Sequence, residues 1–116
     1  MIAKRGYDQN RLSRPCWNKD HQTQALRVEL SHGSSYVFPY RRLAFARFEP
    51  GNDHDTLHVL LDTHQIQITG KHLREVLLAI QRFAVDWVRE LPSRYAPQAD
   101  DDHAWITSIT ISEPQR

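Results

Sequence analysis

The chain has little cysteine, little glycine and no long apolar run, and each shortage excludes a class of protein. Its 116 residues include one cysteine, Cys16, which excludes an internal disulfide framework and a cysteine-rich zinc module. The four glycines lie too far apart for a phosphate-binding loop or a dinucleotide-binding turn. No apolar run approaches the roughly 20 residues of a membrane span, and the first residues lack the apolar stretch of a secretory signal. These features predict a cytoplasmic protein that does not enter a membrane and holds no nucleotide cofactor.

An excess of charge of one sign is also lacking. Fifteen Lys and Arg residues stand against fourteen Asp and Glu, for a formal net charge of +1, so the chain shows no overall attraction to polyanions. Positive charge is nevertheless in excess in the N-terminal part of the chain, with a net +3 in residues 1–24 and again in residues 25–48, and the apolar residues of the first segment follow no period. We therefore predict an irregular basic arm over residues 1–24 and a single domain over residues 25–116.

Alternating apolar residues in the middle of the chain predict antiparallel strands. Leu26, Val28 and Leu30 share one parity, as in a half-buried strand, and Pro39 limits the next strand to an edge or ends it at Phe38. The most informative segment is a predicted hairpin with a turn of two or four residues, which pairs Val59 with Ile66 or with Ile68. Either turn places five aliphatic side chains on one face: Leu57, Val59, Leu61, Ile66 and Ile68. We expect the opposite face, which includes His58 and Leu60, to be mostly exposed.

Apolar residues at helical spacing predict one long helix over about 70–91. Successive spacings of 4, 3, 4, 3 and 4 relate the members of this stripe: Leu73, Leu77, Ile80, Ala84, Trp87 and Leu91. Pro92 would end the helix, and the alternation from Trp105 to Ile111 predicts a last strand. We expect the Trp87 indole to cover the aliphatic face of the hairpin, where truncation to alanine would cost about 3–5 kcal/mol.

These elements predict an α+β fold. An antiparallel sheet of about five strands in meander order is packed by the long helix over about 70–91 and is followed by the last strand. A parallel doubly wound sheet is disfavoured, because strands precede the helix without alternating with helices.

Residues able to carry chemistry are present but poorly grouped. Seven histidines suggest a metal site, yet His58 and His64 fall on different parts of the hairpin, and no His-Glu-x-x-His motif occurs. Cys16 has no neighbouring base that the sequence can identify, and there is no Gly-x-Ser-x-Gly elbow. The sequence therefore predicts a non-enzymatic protein with no catalytic, cofactor-binding or metal site.

One candidate binding surface combines aromatic and basic side chains. Tyr36 lies in the same stretch as Arg41, Arg42 and Arg47, and single-stranded nucleic-acid platforms stack bases on aromatic rings and neutralise phosphates with arginine. The basic arm would add to such a surface. The alternative is a purely structural role, in which the aromatic residues belong to the core of a sheet and the arginines lie on its solvated face.

A second candidate surface is apolar. The predicted helix carries more apolar surface than a short sheet covers, and Phe83 and Trp87 flank one side of it, which predicts an oligomer interface. We expect a non-enzymatic interaction module that self-associates, with a homodimer as the first expectation. The alternatives are a nucleic-acid-binding domain that uses the basic arm with Arg41, Arg42 and Arg47, and a small-ligand or metal-binding protein.

Overall fold

The computed structural model of the protein describes residues 15–91 and 103–113. Over these residues the fold is α+β, as predicted, with eight strands in two sheets and one short α-helix. In chain order the elements are β1 (Trp17–Lys19), β2 (Ala25–Glu29), β3 (Ser35–Pro39), a 3₁₀ helix (Tyr40–Arg42), β4 (Leu43–Glu49), β5 (Asp55–Leu61), β6 (Gln65–Lys71), α1 (Arg74–Ile80), β7 (Val85–Arg89) and β8 (Trp105–Ser112). Residues 1–14, most of the predicted arm, lie outside the described residues.

The strands form two sheets rather than one meander. The strand order is β1-β7-β2-β3 in the first sheet and β4-β5-β6-β8 in the second. The prediction of antiparallel pairing is confirmed for every pair except β2 with β7, which run parallel. The prediction of about five strands in one meander sheet is wrong: the consecutive strands β3 and β4 do not pair but are end strands of different sheets, and β7 enters between β1 and β2. Side chains of both sheets nevertheless join one buried core.

The predicted hairpin forms with the shorter of the two turns that the sequence allows. Val59 lies opposite Ile66 and Leu57 lies opposite Ile68, and the Leu61 N–H donates to the His64 carbonyl at 2.9 Å to close the turn. All five aliphatic side chains are buried. The prediction for the other face is wrong at one position. His58 is buried, because β5 is an inner strand whose neighbours flank the imidazole from both sides.

The predicted helix over 70–91 is wrong at both ends. Strand β6 continues to Lys71, α1 covers only Arg74–Ile80, and Val85–Arg89 forms a strand. The apolar stripe fits a helix by spacing, but from residue 85 onward it contains β-branched and aromatic residues that also suit a buried strand. Spacing alone does not separate these two interpretations over so short a run. The last strand is confirmed as β8.

Trp87 therefore has a different environment from the one predicted. It lies on β7 rather than on a helix, is half-buried, and its ring centroid is 4.6 Å from the Arg89 guanidinium carbon and 5.9 Å from that of Arg27. The prediction that the indole rests on the aliphatic face of the hairpin is wrong. Cation–π contacts with the two arginines take the place of that packing.

A carboxylate joins the two sheets at one end. Glu90 accepts hydrogen bonds from the Ser31 N–H at 2.9 Å and from the Ile109 N–H at 2.8 Å, and these groups belong to the β2–β3 turn and to β8. Burial by itself raises the pKa of Glu90, but the hydrogen bonds from Ser31 and Ile109, with a contribution from His32, outweigh it and leave the pKa below its ordinary value. Glu90 is therefore ionised at neutral pH and stabilises the contact between sheets.

Candidate interaction surface

The turn after α1 holds a phenylalanine where helix ends favour glycine. The Ala84 N–H donates to the Ala79 carbonyl and the Phe83 N–H donates to the Ile80 carbonyl, both at 2.9 Å. This pair of bonds is the Schellman pattern, whose left-handed position is usually glycine. Phe83 occupies that position with a φ of 56°. A bulky side chain in this conformation is strained by about 1–2 kcal/mol, and such strain is concentrated at functional positions in proteins.

The Phe83 ring rests on a fixed aromatic support. It stacks on Tyr40 with centroids 4.8 Å apart and ring planes 21° apart, while the Tyr40 hydroxyl donates to the Val85 carbonyl at 2.7 Å. Burial raises the pKa of the Tyr40 hydroxyl above its ordinary value, so the hydroxyl keeps its proton and its hydrogen bond. Phe83 itself is 39% exposed. The turn therefore presents one face of a rigidly supported phenyl ring to solvent.

Two grooves meet at Phe83. The first, of about 630 Å³, is lined by residues 22–25, residues 39–41 and Phe83. The second, of about 320 Å³, lies between α1 and β4 and has no charged residue in its lining, which consists of Leu43, Ala46, Leu77, Leu78, Ile80, Gln81 and Phe83. We call its most apolar part the Phe83 surface: Leu43, Ala46, Leu77, Leu78 and Phe83.

The Phe83 surface has an exposed apolar centre and a charged rim. Leu78 is 46% exposed and borders the uncharged groove on one side. On its other side it borders a third groove, of about 400 Å³, whose lining includes five polar or charged residues: Lys19, Asp20, His21, Glu75 and Arg82. An apolar centre with a polar rim is the composition of protein–protein interfaces.

The predicted basic residues do not form a free arginine surface. Arg42 pairs with Asp62 at 2.7 Å and Arg47 pairs with Glu49 at 3.5 Å. Arg41 borders the first groove and forms no ion pair within residues 15–91 and 103–113. Two of the three predicted arginines thus each lie beside a carboxylate of their own chain, in half-exposed ion pairs that keep the guanidinium groups at the surface.

The predicted aromatic residues lie in separate places. Tyr36 stacks on Phe38 with centroids 5.7 Å apart and contacts His64 edge-on, so its ring belongs to a small aromatic cluster. Phe83 and Trp87, predicted to flank one helix face, are separated by the turn into β7. Phe83 lies at the grooves, whereas Trp87 packs under two arginines. Tyr40, which supports Phe83, was not singled out, because its role depends on a contact across 43 positions of the chain.

Within the described ranges, no group of three or more His, Cys, Asp or Glu side chains is arranged to hold a metal ion. The imidazole Nε2 of His58 lies 3.2 Å from Glu49 Oε1, and its buried Nδ1 has no hydrogen-bond partner in this part of the chain. None of the described helices is long and apolar enough to cross a bilayer. Comparison of the chain with protein-family models, curated proteins and solved structures finds no match.

We predict that Cys16 does not react with thiol reagents while the protein is folded. Its Sγ is buried and donates to the Ala104 carbonyl at 3.2 Å, and burial raises the pKa of the thiol to about 11. Below that pH the nucleophilic thiolate is scarce. Ellman's reagent at pH 8 should therefore label Cys16 only at the rate of unfolding, and rapidly in denaturant. Equal labelling rates in buffer and in denaturant would contradict this prediction.

Proposed function

We propose that the protein is a non-enzymatic interaction module that self-associates through the Phe83 surface, with a homodimer as its first assembly. The observation that carries this proposal is the strained, partly exposed Phe83 beside the exposed Leu78, over a groove with uncharged walls. Aromatic side chains that are held rigidly lose little conformational entropy on binding, and they are enriched among the residues that dominate binding energy. A self-associating module accounts for both the exposure and the strain.

The alternatives have less support. A nucleic-acid role needs arginines free to neutralise phosphates, yet Arg42 and Arg47 each pair with a carboxylate of the same chain. A small-ligand role is supported by the volume of the groove beside Tyr40, which lies in the range of ligand pockets. The nucleic-acid alternative gives Phe83 no role, and a small ligand in the first groove would contact Phe83 but leave Leu78 exposed.

The proposal predicts that Phe83→Asn separates association from stability. Asparagine tolerates the left-handed conformation, so the variant regains about 1 kcal/mol of strain, but it loses an aromatic stack worth about 0.5–1.5 kcal/mol and about 1–2 kcal/mol from the apolar burial of the covered part of the ring. We expect the free energy of unfolding to fall by about 1–2 kcal/mol, which leaves a domain of ordinary stability folded. Light scattering coupled to size exclusion, over a series of micromolar concentrations, should show loss of the dimer.

The matched control is His72→Asn. His72 also has a positive φ, 58°, and is exposed, but it lines none of the three grooves at the Phe83 surface. This variant relieves the same kind of backbone strain and should leave the dimer unchanged. A parent protein that stays monomeric at every concentration, or a Phe83→Asn variant that dimerises like its parent, contradicts the proposed function.

A further inference from the structure

Strand β4 is an open sheet edge beside the Phe83 surface. Among the described residues the sheets end in β1, β3, β4 and β8. β1 has three residues, and β3 ends in a proline that lacks an N–H. On β8 the Ile109 N–H already donates to the Glu90 carboxylate, and the Ile106 carbonyl accepts from the Leu91 N–H. β4 has seven residues without lysine or proline, and in the described ranges residues 44–49 form backbone hydrogen bonds only within their sheet. Edges left open in this way pair readily with another strand.

The face of β4 that points away from the core carries an unexplained aromatic residue. Phe45 lies opposite Leu60 of β5 and is 52% exposed. Arg47 and Glu49 follow it on the same face, while Ala46 and Phe48 lie opposite Val59 and Leu57, on the core-facing side. The exposed residues of this edge thus alternate an aromatic ring, a cation and an anion.

We propose that β4 pairs antiparallel with β4 of a second copy of the chain, with Ala46 of each copy opposite the other. This inference rests on the proposed function and names its partner and contact. In this register Phe45 lies opposite the second copy's Arg47, and the two-fold axis creates that contact twice. A guanidinium against a phenyl ring is a favourable cross-strand pair. The β4-β5-β6-β8 sheets of the two copies then form one sheet of eight strands.

Neighbouring registers are less favourable. The outer faces of the two copies match only when the two-fold axis passes through a residue of β4 and not between two residues. The nearest alternatives therefore have the axis at Arg47 or at Phe45. An axis at Arg47 places the two guanidinium groups directly opposite each other, and like charges at such positions are destabilising. An axis at Phe45 stacks the two rings but sets Arg47 against Leu43, across the register shift between Leu43 and Phe45. Only the Ala46 axis places every Arg47 beside a ring.

The same pairing of β4 strands would also cover the Phe83 surface. Leu43 and Ala46 belong both to the edge strand and to the lining of the groove between α1 and β4. A second strand laid along β4 therefore runs beside this groove and covers its exposed wall at Leu78. Edge pairing supplies main-chain hydrogen bonds, and the groove supplies apolar burial, as in other recognition by strand addition.

The first test compares Phe45→Lys with Phe45→Glu. Both variants remove the same exposed ring, so any loss of apolar contact is common to them. In the proposed register residue 45 faces Arg47 of the second copy, which repels lysine and attracts glutamate. We expect the dimer dissociation constant of Phe45→Lys to exceed that of Phe45→Glu by about tenfold or more at low salt, with the ratio falling as salt screens the charges. Equal constants overturn the register.

The second test is oxidative cross-linking of Ala46→Cys. Because Cys16 is buried in the core, the thiol introduced at the partly buried position 46 is the one that lies on a sheet edge among the described residues, and directly opposed positions on antiparallel strands lie within disulfide reach. We expect a disulfide-linked dimer on mild oxidation. Val37→Cys, at a 64% exposed position on the edge strand β3, is the matched control and should stay monomeric on a non-reducing gel.

The outcomes separate this inference from the function on which it rests. A dimer that Phe83→Asn abolishes, but that responds equally to Phe45→Lys and Phe45→Glu and does not cross-link through Ala46→Cys, overturns the edge pairing and leaves the self-associating module. A protein that is monomeric throughout and does not cross-link overturns both. Cross-linking of Val37→Cys in place of Ala46→Cys assigns the contact to β3 and overturns the β4 register.

Discussion

Replacing Gly70 with alanine is expected to destabilise the protein by at least about 3 kcal/mol. Gly70 lies on β6 where β6 pairs with β8, and the register of that pairing shifts between Thr69 and Gly70. A Cβ atom at this position would overlap the carbonyl oxygen of Trp105, and it would come within 2.8 Å of the carbonyl carbon. Both atoms belong to the backbone of β8. No change of side-chain rotamer can relieve the overlap, so β6 and β8 must move apart.

The loss in the free energy of unfolding is expected to be large because the added Cβ meets backbone atoms, which cannot move away as a side chain can. Added atoms in a packed region cost about 1–3 kcal/mol when side chains can adjust, and more when they cannot. We expect a loss of at least about 3 kcal/mol, out of the roughly 5–15 kcal/mol that stabilises a domain. Urea denaturation followed by circular dichroism measures it, and a low yield of folded protein is the extreme result.

Gly33→Ala is the control that separates steric overlap from backbone strain. Gly33 has a φ of 107°, but a Cβ there meets no atom within 4 Å. Alanine at that position pays only for the strained backbone, about 1–3 kcal/mol. A Gly70→Ala variant with a loss no larger than that of Gly33→Ala would contradict the close approach of β6 to Trp105.

The hairpin could be predicted because its information is local. Two apolar parities with a two-residue turn between them allow only pairings that put all five aliphatic side chains together, and the structure has one of them. Gly70 was interpreted as the start of a helix, whereas β6 runs through it to Lys71. That error has a non-local cause, because the reason for glycine here is the carbonyl of Trp105 in a distant strand.

The predicted helix is too long because the residue at which the real helix ends gives no sequence signal. Helices commonly stop at a glycine in the left-handed conformation, and this chain places Phe83 there instead. With no glycine or proline between residues 71 and 91, the apolar stripe reads as one continuous helix. The residue that conceals the helix end from sequence analysis is the same one that marks the candidate interaction surface.

The candidate site was only partly predictable. Phe83 was named as an interface residue together with Trp87, but the structure separates them and gives Phe83 the neighbours Tyr40 and Leu78. These neighbours come from the 3₁₀ helix and from α1, and no spacing rule relates them. Likewise, the carboxylate of Glu90 joins Ser31 to Ile109, and neither partner is suggested by the residues around it.

Leu57→Ala and Leu60→Ala should have very different effects on stability, although the two leucines are three positions apart on β5. Leu57 is fully buried opposite Ile68, so truncation leaves a cavity and is expected to cost about 2–5 kcal/mol. Leu60 has the other parity, lies opposite Phe45 and Gln65, and is only partly buried. Its truncation should cost less, about 1–2 kcal/mol, since part of the side chain already contacts water and no enclosed cavity is left.

This comparison tests the parity on which the fold and the proposed edge contact both depend. Denaturant midpoints of the two variants give the losses, provided that the slopes match that of the parent protein. Equal losses would mean that β5 does not present Leu57 to the core and Leu60 to the opposite face. Phe45, which lies opposite Leu60, would then not be on the exposed face of β4, and the alternation of ring, cation and anion along that edge would be lost. A large loss at Leu57 with a small one at Leu60 keeps Phe45 and Arg47 together on the outer face, where the second copy would meet them.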